Sequence, residues 1–399
     1  MNSQVYSDIK FWKKPIHVSK TKLAKAYLKL LPNIQIVAIF GSVGKTLTQN
    51  AISSVLSQKY PTVVGEENLD PTFRIPQTIL KTKPWDKFLI LEYGVEHKGD
   101  MDHYLEIAKP KYAVMTLISE EHTKYLGDME GVYHEESKIV HKLPKTSYAL
   151  LNTDDKKSHD LEKTSKATVV WFGKKAKRGV KISHFSQNLH GAKFRVHYGG
   201  EMASVHWKIV GKHQLTSAYA AATIGILNRL TIKQIAKGLA STQSPQHRLN
   251  IKITDHANLI DDTYNSSPAA AKEAIETLRD LGKGKKKVAI LGEMKDLGGL
   301  SENAHKQLGQ QIARTSINHL ITIGKIAKTI SDSAQKNQFR GKIYNVTSLN
   351  EARKVAKGLT NKKSVVLIKG SRHTHLERIV YALCHKSTSI DCYHCGKLK

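Results

Sequence analysis

Cysteine is nearly missing from this chain. Its 399 residues contain three, Cys384, Cys392 and Cys395, all within the last sixteen. No disulfide framework can support the fold, which fits a reducing, cytoplasmic setting. Long apolar runs are missing too. Nothing approaches the roughly 18 residues that a membrane-spanning helix needs. The opening Met1-Asn2-Ser3-Gln4-Val5-Tyr6-Ser7-Asp8 has no apolar core of the signal-peptide kind. Acidic residues are scarce: 34 Asp and Glu stand against 63 Lys and Arg, a formal net charge of +29. Such an excess raises nucleic-acid binding as a reading. The lysines are scattered, however, and no aromatic residues interleave with them in a recognition pattern. Acidic small substrates such as nucleotides are the expected partners, with weak salt-sensitive sticking to nucleic acid and no specific nucleic-acid site.

What is present is an ordinary globular composition, 40% hydrophobic and 24% charged, in a chain long enough for two or three domains. The most informative stretch is Gly41-Ser42-Val43-Gly44-Lys45-Thr46. Before it runs Ile34 to Phe40, an apolar, β-branched segment that predicts a buried strand. After it, Leu47 to Leu56 places apolar residues at helical spacing. Strand, glycine loop, Lys-Thr and helix together form a phosphate-binding loop. Backbone N–H groups of Gly41, Ser42 and Gly44 turn inward around phosphate oxygens, Lys45 adds a point charge, and the Thr46 hydroxyl can ligate Mg²⁺. The longer eight-residue form would have glycine at position 39, where this chain has Ile39. ATP and Mg²⁺ are the cofactors this loop predicts.

The chain divides into a basic segment 1–33, a region 34–246, a second region 247–385 and a polar tail 386–399. Residues 1–33 carry seven lysines and one aspartate. Ser19 to Leu31 predicts a short amphipathic helix stopped by Pro32; it could touch an anionic membrane surface or simply pack on the next domain. In 34–246, strands alternate with helices as in a mostly parallel α/β sheet, with strands at Thr168–Gly173 and Phe194–Tyr198, the latter in a β-rich excursion, and an Ala-rich helix from Gly211 to Leu230. In 247–385, strands at Ala257–Asp261, Lys287–Gly292, His319–Gly324 and Ser364–Gly370, each followed by a helix candidate, predict a doubly wound, Rossmann-like domain.

Two further clusters join the loop. Phe88 to Gly94 reads as a buried strand with Glu92 near its C-terminal end, where a carboxylate beside a phosphate loop holds Mg²⁺. Tyr112 to Ile118 reads as another strand, followed by Glu120, Glu121 and His122.

In this order the motifs resemble the Mur ligases, ATP-dependent acid–amino-acid ligases of cell-wall synthesis. The resembling stretches are Gly41 to Thr46, Asn68-Leu69-Asp70 to Pro76, Leu91-Glu92-Tyr93-Gly94, His122 to Gly127, Leu151 to Asp155, Arg248, Asp261-Asp262-Thr263-Tyr264-Asn265, Leu291 to Gly298, His305 and Lys369-Gly370-Ser371-Arg372. The resemblance implies peptide-bond formation through an acyl phosphate, most closely in the branch that adds D-alanyl-D-alanine to a nucleotide-linked muramoyl peptide. Another ligase of the superfamily (folylpolyglutamate or cyanophycin synthetase-like, or acting on a lipid-linked muropeptide) remains an alternative, as does a non-catalytic nucleotide-binding protein. A monomer is expected. By resemblance, Lys45 contacts the β- and γ-phosphates, Thr46 and Glu92 share one Mg²⁺, and His122 serves a second. Arg248 and Asp262 resemble residues that close over the nucleotide, and Asn265 one near the adenine.

Three departures stand out. Fourteen residues after the histidine the family has a lysine carbamylated by CO₂; here that count reaches Glu136, with Lys138 two residues on. Glu136 could supply a carboxylate directly, or the glutamates there could form a charged helix face. The family's His-Asn pair and nearby Asn read here as His213-Gln214 and Ser217. About 35 residues precede the phosphate loop, so the family's UDP-gripping domain is not expected. Finally, Cys392-Tyr393-His394-Cys395 has metal-like spacing, which Cys384, His385 and His394 could complete as a zinc site; a polar tail is the expectation instead.

Overall fold

A computed structural model describes residues 14–66 and 70–384, together with the backbone of two short strands, Ile390–Cys392 and Gly396–Leu398. Cys395, His385 and His394 of the candidate zinc site, and Asn68 and Leu69, lie outside the described residues. The chain forms two compact units. One comprises the chain up to Ser186 with Lys193–Lys208 and His213–Gln243; the other comprises Gln187–Ala192, Ile209–Lys212 and Ser244 onward.

The chain up to Ser241 runs α1 Lys14–Leu28, β1 Gln35–Phe40, α2 Lys45–Leu56, β2 Thr62–Val64, α3 Pro71–Lys81, β3 Phe88–Glu92, α4 Asp100–Ile107, β4 Tyr112–Met115, α5 Thr123–Leu126, α6 Met129–His141, β5 Tyr148–Asn152, α7 Ser158–Thr164, β6 Thr168–Phe172, β7 Lys181–Asn188, β8 Gly191–Tyr198, β9 Glu201–Trp207, α8 Leu215–Leu227 and α9 Ile232–Ser241, all in the first unit but for the β7–β8 turn. Six strands form a wholly parallel sheet in the order β2-β3-β1-β4-β5-β6. β1 is central and buried from Ile36 to Phe40. That continuous apolar run is what a parallel strand covered on both faces requires. Its neighbours β3 and β4 lie on opposite sides, so the sheet reverses its winding at β1. This switch point is where open α/β sheets leave a crevice beyond the strand ends. β7, β8 and β9 form the separate three-stranded sheet of the β-rich excursion.

The second unit runs β10 Asn250–Ile253, β11 Asn258–Asp262, α10 Pro268–Leu281, β12 Lys286–Leu291, α11 Ser301–Ala313, β13 His319–Ile323, α12 Lys325–Lys336, β14 Lys342–Val346, α13 Leu349–Leu359, β15 Ser364–Lys369 and α14 Glu377–Leu383. Its sheet has the order β10-β11-β15-β12-β13-β14, parallel except for the edge pair β10–β11. One apolar cluster, with Ile275, Leu308 and Leu320, fills one face; another, with Leu259, Val366 and Ile379, fills the other. This is the doubly wound layering that the spacing of apolar runs predicts.

Local details differ. The basic helix is already formed at Lys14, the first described residue and five before Ser19, and ends at Leu28. Residues 29 to 31 continue as i→i+3 turns, with Lys29, Leu30 and Leu31 donating to Ala26, Tyr27 and Leu28 carbonyls. Pro32 thus ends the segment after the helix has already tightened. The predicted helix from Gly211 is a 3₁₀ turn, Lys212–Gln214, followed by α8, and Gly211 itself, at a φ of 96°, stays outside it. Strands β10 and β14 did not register as strands in the sequence: both lie at sheet edges, where apolar content is low.

His305 of α11 shows how tightly the second unit fixes a titratable group. It is fully buried; Met294 N–H donates to its Nε2 at 2.9 Å, and its Nδ1 lies 2.6 Å from the Ser301 carbonyl. The neutral Nδ1–H tautomer satisfies both contacts. Burial lowers the imidazole pKa, against the opposing influence of the Ser301 carbonyl and Glu293. A histidine whose folded pKa is depressed contributes stability above its unfolded pKa, about 6.5, and that contribution disappears as pH falls. His305→Gln is expected to flatten the loss of melting temperature between pH 8 and pH 5 relative to the parent. An unchanged difference between the two curves at both pH values would remove His305 as a source of acid sensitivity.

Candidate active site

The switch point positions the phosphate loop. β1 delivers the chain to Gly41, whose φ of 112° lies in the left-handed region. A Cβ there would sit 2.6 Å from Thr116 Oγ1 and 3.0 Å from the Leu117 carbonyl, so only glycine fits without displacement. The loop is pinned to the segment after β4: Ser42 N–H donates to the Leu117 carbonyl at 2.7 Å, and Ser42 Oγ exchanges bonds with Ser119 O and Ser119 N, each at 2.9 Å. Gly44, at a φ of 88°, starts α2 without a side-chain cap. The N-terminal amides of α2 are thus left for a ligand. Lys45 Nζ donates to the loop's own carbonyls, Gly41 O at 2.6 Å and Ser42 O at 3.0 Å.

The β1–β3 register pairs Ile39 with Glu92, which sets Glu92 beside the loop. Its two carboxylate oxygens each lie 3.2 Å from Thr46 Oγ1. Arg74, buried on α3, reaches the same carboxylate at 2.5 Å. Asp70 caps α3 by accepting from Thr72 N–H at 2.7 Å, and Pro71 follows at the first helical turn; this start sets Arg74 one turn in. The sequence reading did not single out Arg74, although it lies inside the Asp70–Pro76 stretch. An arginine one turn into a capped helix was the available signal. Removing Arg74 would take the guanidinium counter-charge from the buried Glu92 carboxylate. Arg74→Ala is expected to cost about 3–5 kcal/mol, roughly 10 °C in melting temperature without nucleotide. A shift under about 1 °C would show that water compensates Glu92.

α6 brings the third carboxylate. Asp128 caps it through Gly131 N–H at 2.8 Å. Glu136 lies on its buried face, and Gly41 N–H donates to Glu136 Oε2 at 3.0 Å. Burial pushes this carboxyl up to about 7, although Lys45 and the Gly41 amide pull the other way; Glu121 and Glu135 add to the rise. Lys138 points elsewhere: its Nζ lies 2.8 Å from Asp102 and 2.7 Å from Glu135. Glu135 also accepts from Gly99 and Met101 N–H at 3.0 Å each, which ties α6 to the start of α4. Of the two candidates near the expected lysine position, Glu136 faces the loop and Lys138 serves an ion-pair network.

His122 adopts a left-handed backbone, φ 55°, and its Nε2 lies 4.0 Å from both Glu96 and Glu121. Its Nδ1 is buried without a hydrogen-bond partner among the described residues. Burial raises the Glu96 carboxyl, with His122 acting against that rise. Ser217 does not stand in for an amide: its hydroxyl lies 2.9 Å from Thr48 Oγ1 and joins α8 to α2.

In the second unit, β11 and β15 align Asp262 with Lys369, and the buried Lys369 Nζ pairs with Asp262 at 2.7 Å. The same ammonium donates to the Asn265 carbonyl at 2.8 Å, and Leu249 N–H donates to Asp262 Oδ1 at 3.2 Å. Tyr264 lies between two guanidiniums, Arg248 at 4.2 Å and Arg372 at 4.8 Å from its ring centre. Arg248, Asp262 and Asn265 therefore fall in one cluster, joined by Lys369, Tyr264 and Arg372. The sequence reading assigned no separate role to those last three.

A glycine loop between a central parallel strand and a helix, with a lysine, a hydroxyl and a strand-end carboxylate, defines a nucleotide-binding α/β protein of the phosphate-loop class. Comparison with known proteins identifies the family. Residues 39–225 match the Mur ligase middle domain, and residues 247–372 match the Mur ligase, glutamate ligase domain. The UDP-N-acetylmuramoyl-tripeptide–D-alanyl-D-alanine ligase of Bacillus subtilis (strain 168) is 29% identical over 369 residues, which are 92% of this chain and 79% of that protein. The protein of the same name from Buchnera aphidicola subsp. Baizongia pistaciae is 30% identical over 356 residues, 88% of this chain and 75% of that protein. The crystal structure of MurF ligase from Thermotoga maritima in complex with ADP superposes with a TM-score of 0.81 over 92% of this chain and 83% of that one, at 23% identity. The chain belongs to the Mur ligase family of ATP-dependent ligases. Among its described residues, no helix is long and apolar enough to cross a membrane.

Proposed function

We propose that this protein joins D-alanyl-D-alanine to a nucleotide-linked muramoyl tripeptide, at the expense of ATP. The observation that carries this reading is the 29% identity with the Bacillus subtilis ligase across 92% of the chain. The γ-phosphoryl group of ATP passes to an oxygen of the tripeptide's terminal carboxylate, and ADP leaves. The amine of the dipeptide attacks the acyl carbon, and the tetrahedral intermediate expels phosphate as the amide forms, with loss of a proton from nitrogen. Phosphoryl transfer of this kind needs alignment and charge neutralisation above all.

The residues supply both. The amides of the loop and of α2 receive phosphate oxygens. Lys45 exchanges its bonds to Gly41 and Ser42 carbonyls for the β- and γ-phosphates. Thr46 and Glu92 are hard oxygen donors at one place, which suits Mg²⁺. Among the described residues no group of three or more His, Cys, Asp and Glu side chains is gathered to hold a metal. Bound at Thr46 and Glu92, Mg²⁺ would neutralise charge on the transferring phosphates. Glu136 is a further polar group at the loop's first amide, and His122, with its unpartnered Nδ1, is proposed to serve a second cation. Arg248, Asp262 and Asn265 are proposed as nucleotide-binding residues by their resemblance to the family's motifs.

The test is a phosphate-release screen that crosses UDP-muramoyl tripeptide, a lipid-linked muropeptide and folate with D-alanyl-D-alanine and single amino acids. Release is expected only for the nucleotide-linked tripeptide with the dipeptide. Turnover confined to a lipid-linked acceptor or to folate would overturn the substrate assignment. No ATP turnover with any pair would overturn the catalytic one.

A further inference from the structure

The chemistry described so far leaves one surface unused. α1 packs through Thr21 and Ala24, which are buried, with His17 against Phe73 at 4.4 Å and Tyr27 Oη donating to the Thr82 carbonyl at 2.7 Å. Along its outer side stand Ile16, Leu23 and Leu30, exposed by 54, 59 and 74%. Ile16 and Leu23, two helical turns apart, share one side of α1, and Leu30 follows in the tightened turn just beyond its end. Lys22 and Lys29 stand alongside, and Lys20 and Lys25 flank them; all four are exposed. α1 contains no acidic residue. The Tyr27–Thr82 bond brings the C-terminal end of α1 beside the turn that carries Trp85. That indole is 69% exposed, with Lys83 Nζ 5.4 Å from its ring centre. The nearby acidic groups are already engaged: Asp86 accepts from Lys83 N–H, and Glu66 pairs with Lys81.

Single large apolar side chains standing free among lysines, with a tryptophan at one end, offer no groove for a peptide or a globular partner. They match the interfacial zone of a bilayer, where apolar side chains and indoles enter the headgroup layer and ammonium groups meet anionic lipids. We infer that α1 and the Lys83–Trp85 turn form a docking face for an anionic membrane surface. The first unit would then lie against the bilayer, none of its described helices being long and apolar enough to cross it. The overall excess of lysine explains only non-specific attraction. The exposed apolar side chains are what make this face particular.

The test uses the full chain and sedimentation with two kinds of vesicle, phosphatidylcholine alone and phosphatidylcholine with about a third phosphatidylglycerol. Binding to the anionic vesicles only, weakening with salt, is expected. Leu23→Glu with Leu30→Glu should lower the partition coefficient about tenfold or more. Lys22→Gln with Lys29→Gln should lower it about 25-fold, on the scale of about fivefold per lysine. Lys283→Gln with Lys285→Gln, exposed lysines of the second unit, should leave it unchanged. Melting temperatures confirm that each variant folds. In addition, Trp85→Phe should abolish most of the blue shift of tryptophan emission on binding. Three results would overturn the inference: no preference for anionic vesicles, equal losses for the lysine pairs of the two units, or a dimer in sedimentation velocity that Leu23→Glu with Leu30→Glu dissolves.

Discussion

Replacing Lys45 with alanine is expected to lower kcat for ligation by about 10²–10³ or more. The argument is electrostatic. Negative charge at the γ-phosphate must be met by groups already in place, because water is excluded there and nothing else can reorganise cheaply. The loop amides and the start of α2 contribute partial charges only. Lys45 contributes a full one from a stem rooted in the first turn of α2, with its ammonium resting on the Gly41 and Ser42 carbonyls. Those carbonyls lose a donor in the variant, yet they can turn to water, so the melting temperature should move little. Arg74 cannot substitute, since its guanidinium is committed to Glu92 at 2.5 Å. Single-turnover measurements of acyl-phosphate formation separate this step from later ones. A variant that forms the acyl phosphate at a near-parental rate would remove Lys45 from the phosphoryl-transfer step.

The second large effect is expected at Glu136. Glu136→Gln should lose turnover by about tenfold to a hundredfold, the scale seen when a group supporting a metal site is neutralised, and should need more Mg²⁺ for half-maximal activity. Lys138→Ala should keep most of its turnover while melting earlier, because it removes the partner of a buried Glu135 carboxylate. The parent enzyme should be indifferent to removal of bicarbonate at mildly acid pH, since its carboxylate is covalent and does not form reversibly from CO₂. These outcomes rest on direction: Glu136 Oε2 meets the Gly41 amide, and Lys138 Nζ meets Asp102 and Glu135. Inactivity of Lys138→Ala, rescued by short carboxylic acids, would return the role to the lysine.

Much of the phosphate side of the site was legible before any coordinates. A β-branched apolar run, a glycine loop, Lys-Thr and an amphipathic helix are local features, each constrained by residues within one turn or strand of itself. Glu92 was legible for a similar reason, as a carboxylate ending an unbroken apolar run. Arg74 and Lys369 were not. The value of Arg74 depends on α3 crossing the end of β3, and that of Lys369 on a strand register that aligns it with Asp262, 107 residues earlier. Neither relation leaves a periodic trace in the chain. His122 was visible as a residue, but its left-handed backbone and its unpartnered Nδ1 were not.

By itself, the sequence determined the two α/β regions, the phosphate loop and the order of the family's motifs, because hydrophobic period and glycine placement are read from neighbours along the chain. Tertiary structure alone decided which of two residues on one helix turn faces the loop. Glu136 and Lys138 lie two apart on α6, so their side chains leave the helix on well-separated faces. Counting from His122 finds the turn but not its rotation. That rotation is set where the apolar face of α6, through Val132, Ile139 and Val140, buries itself in the core.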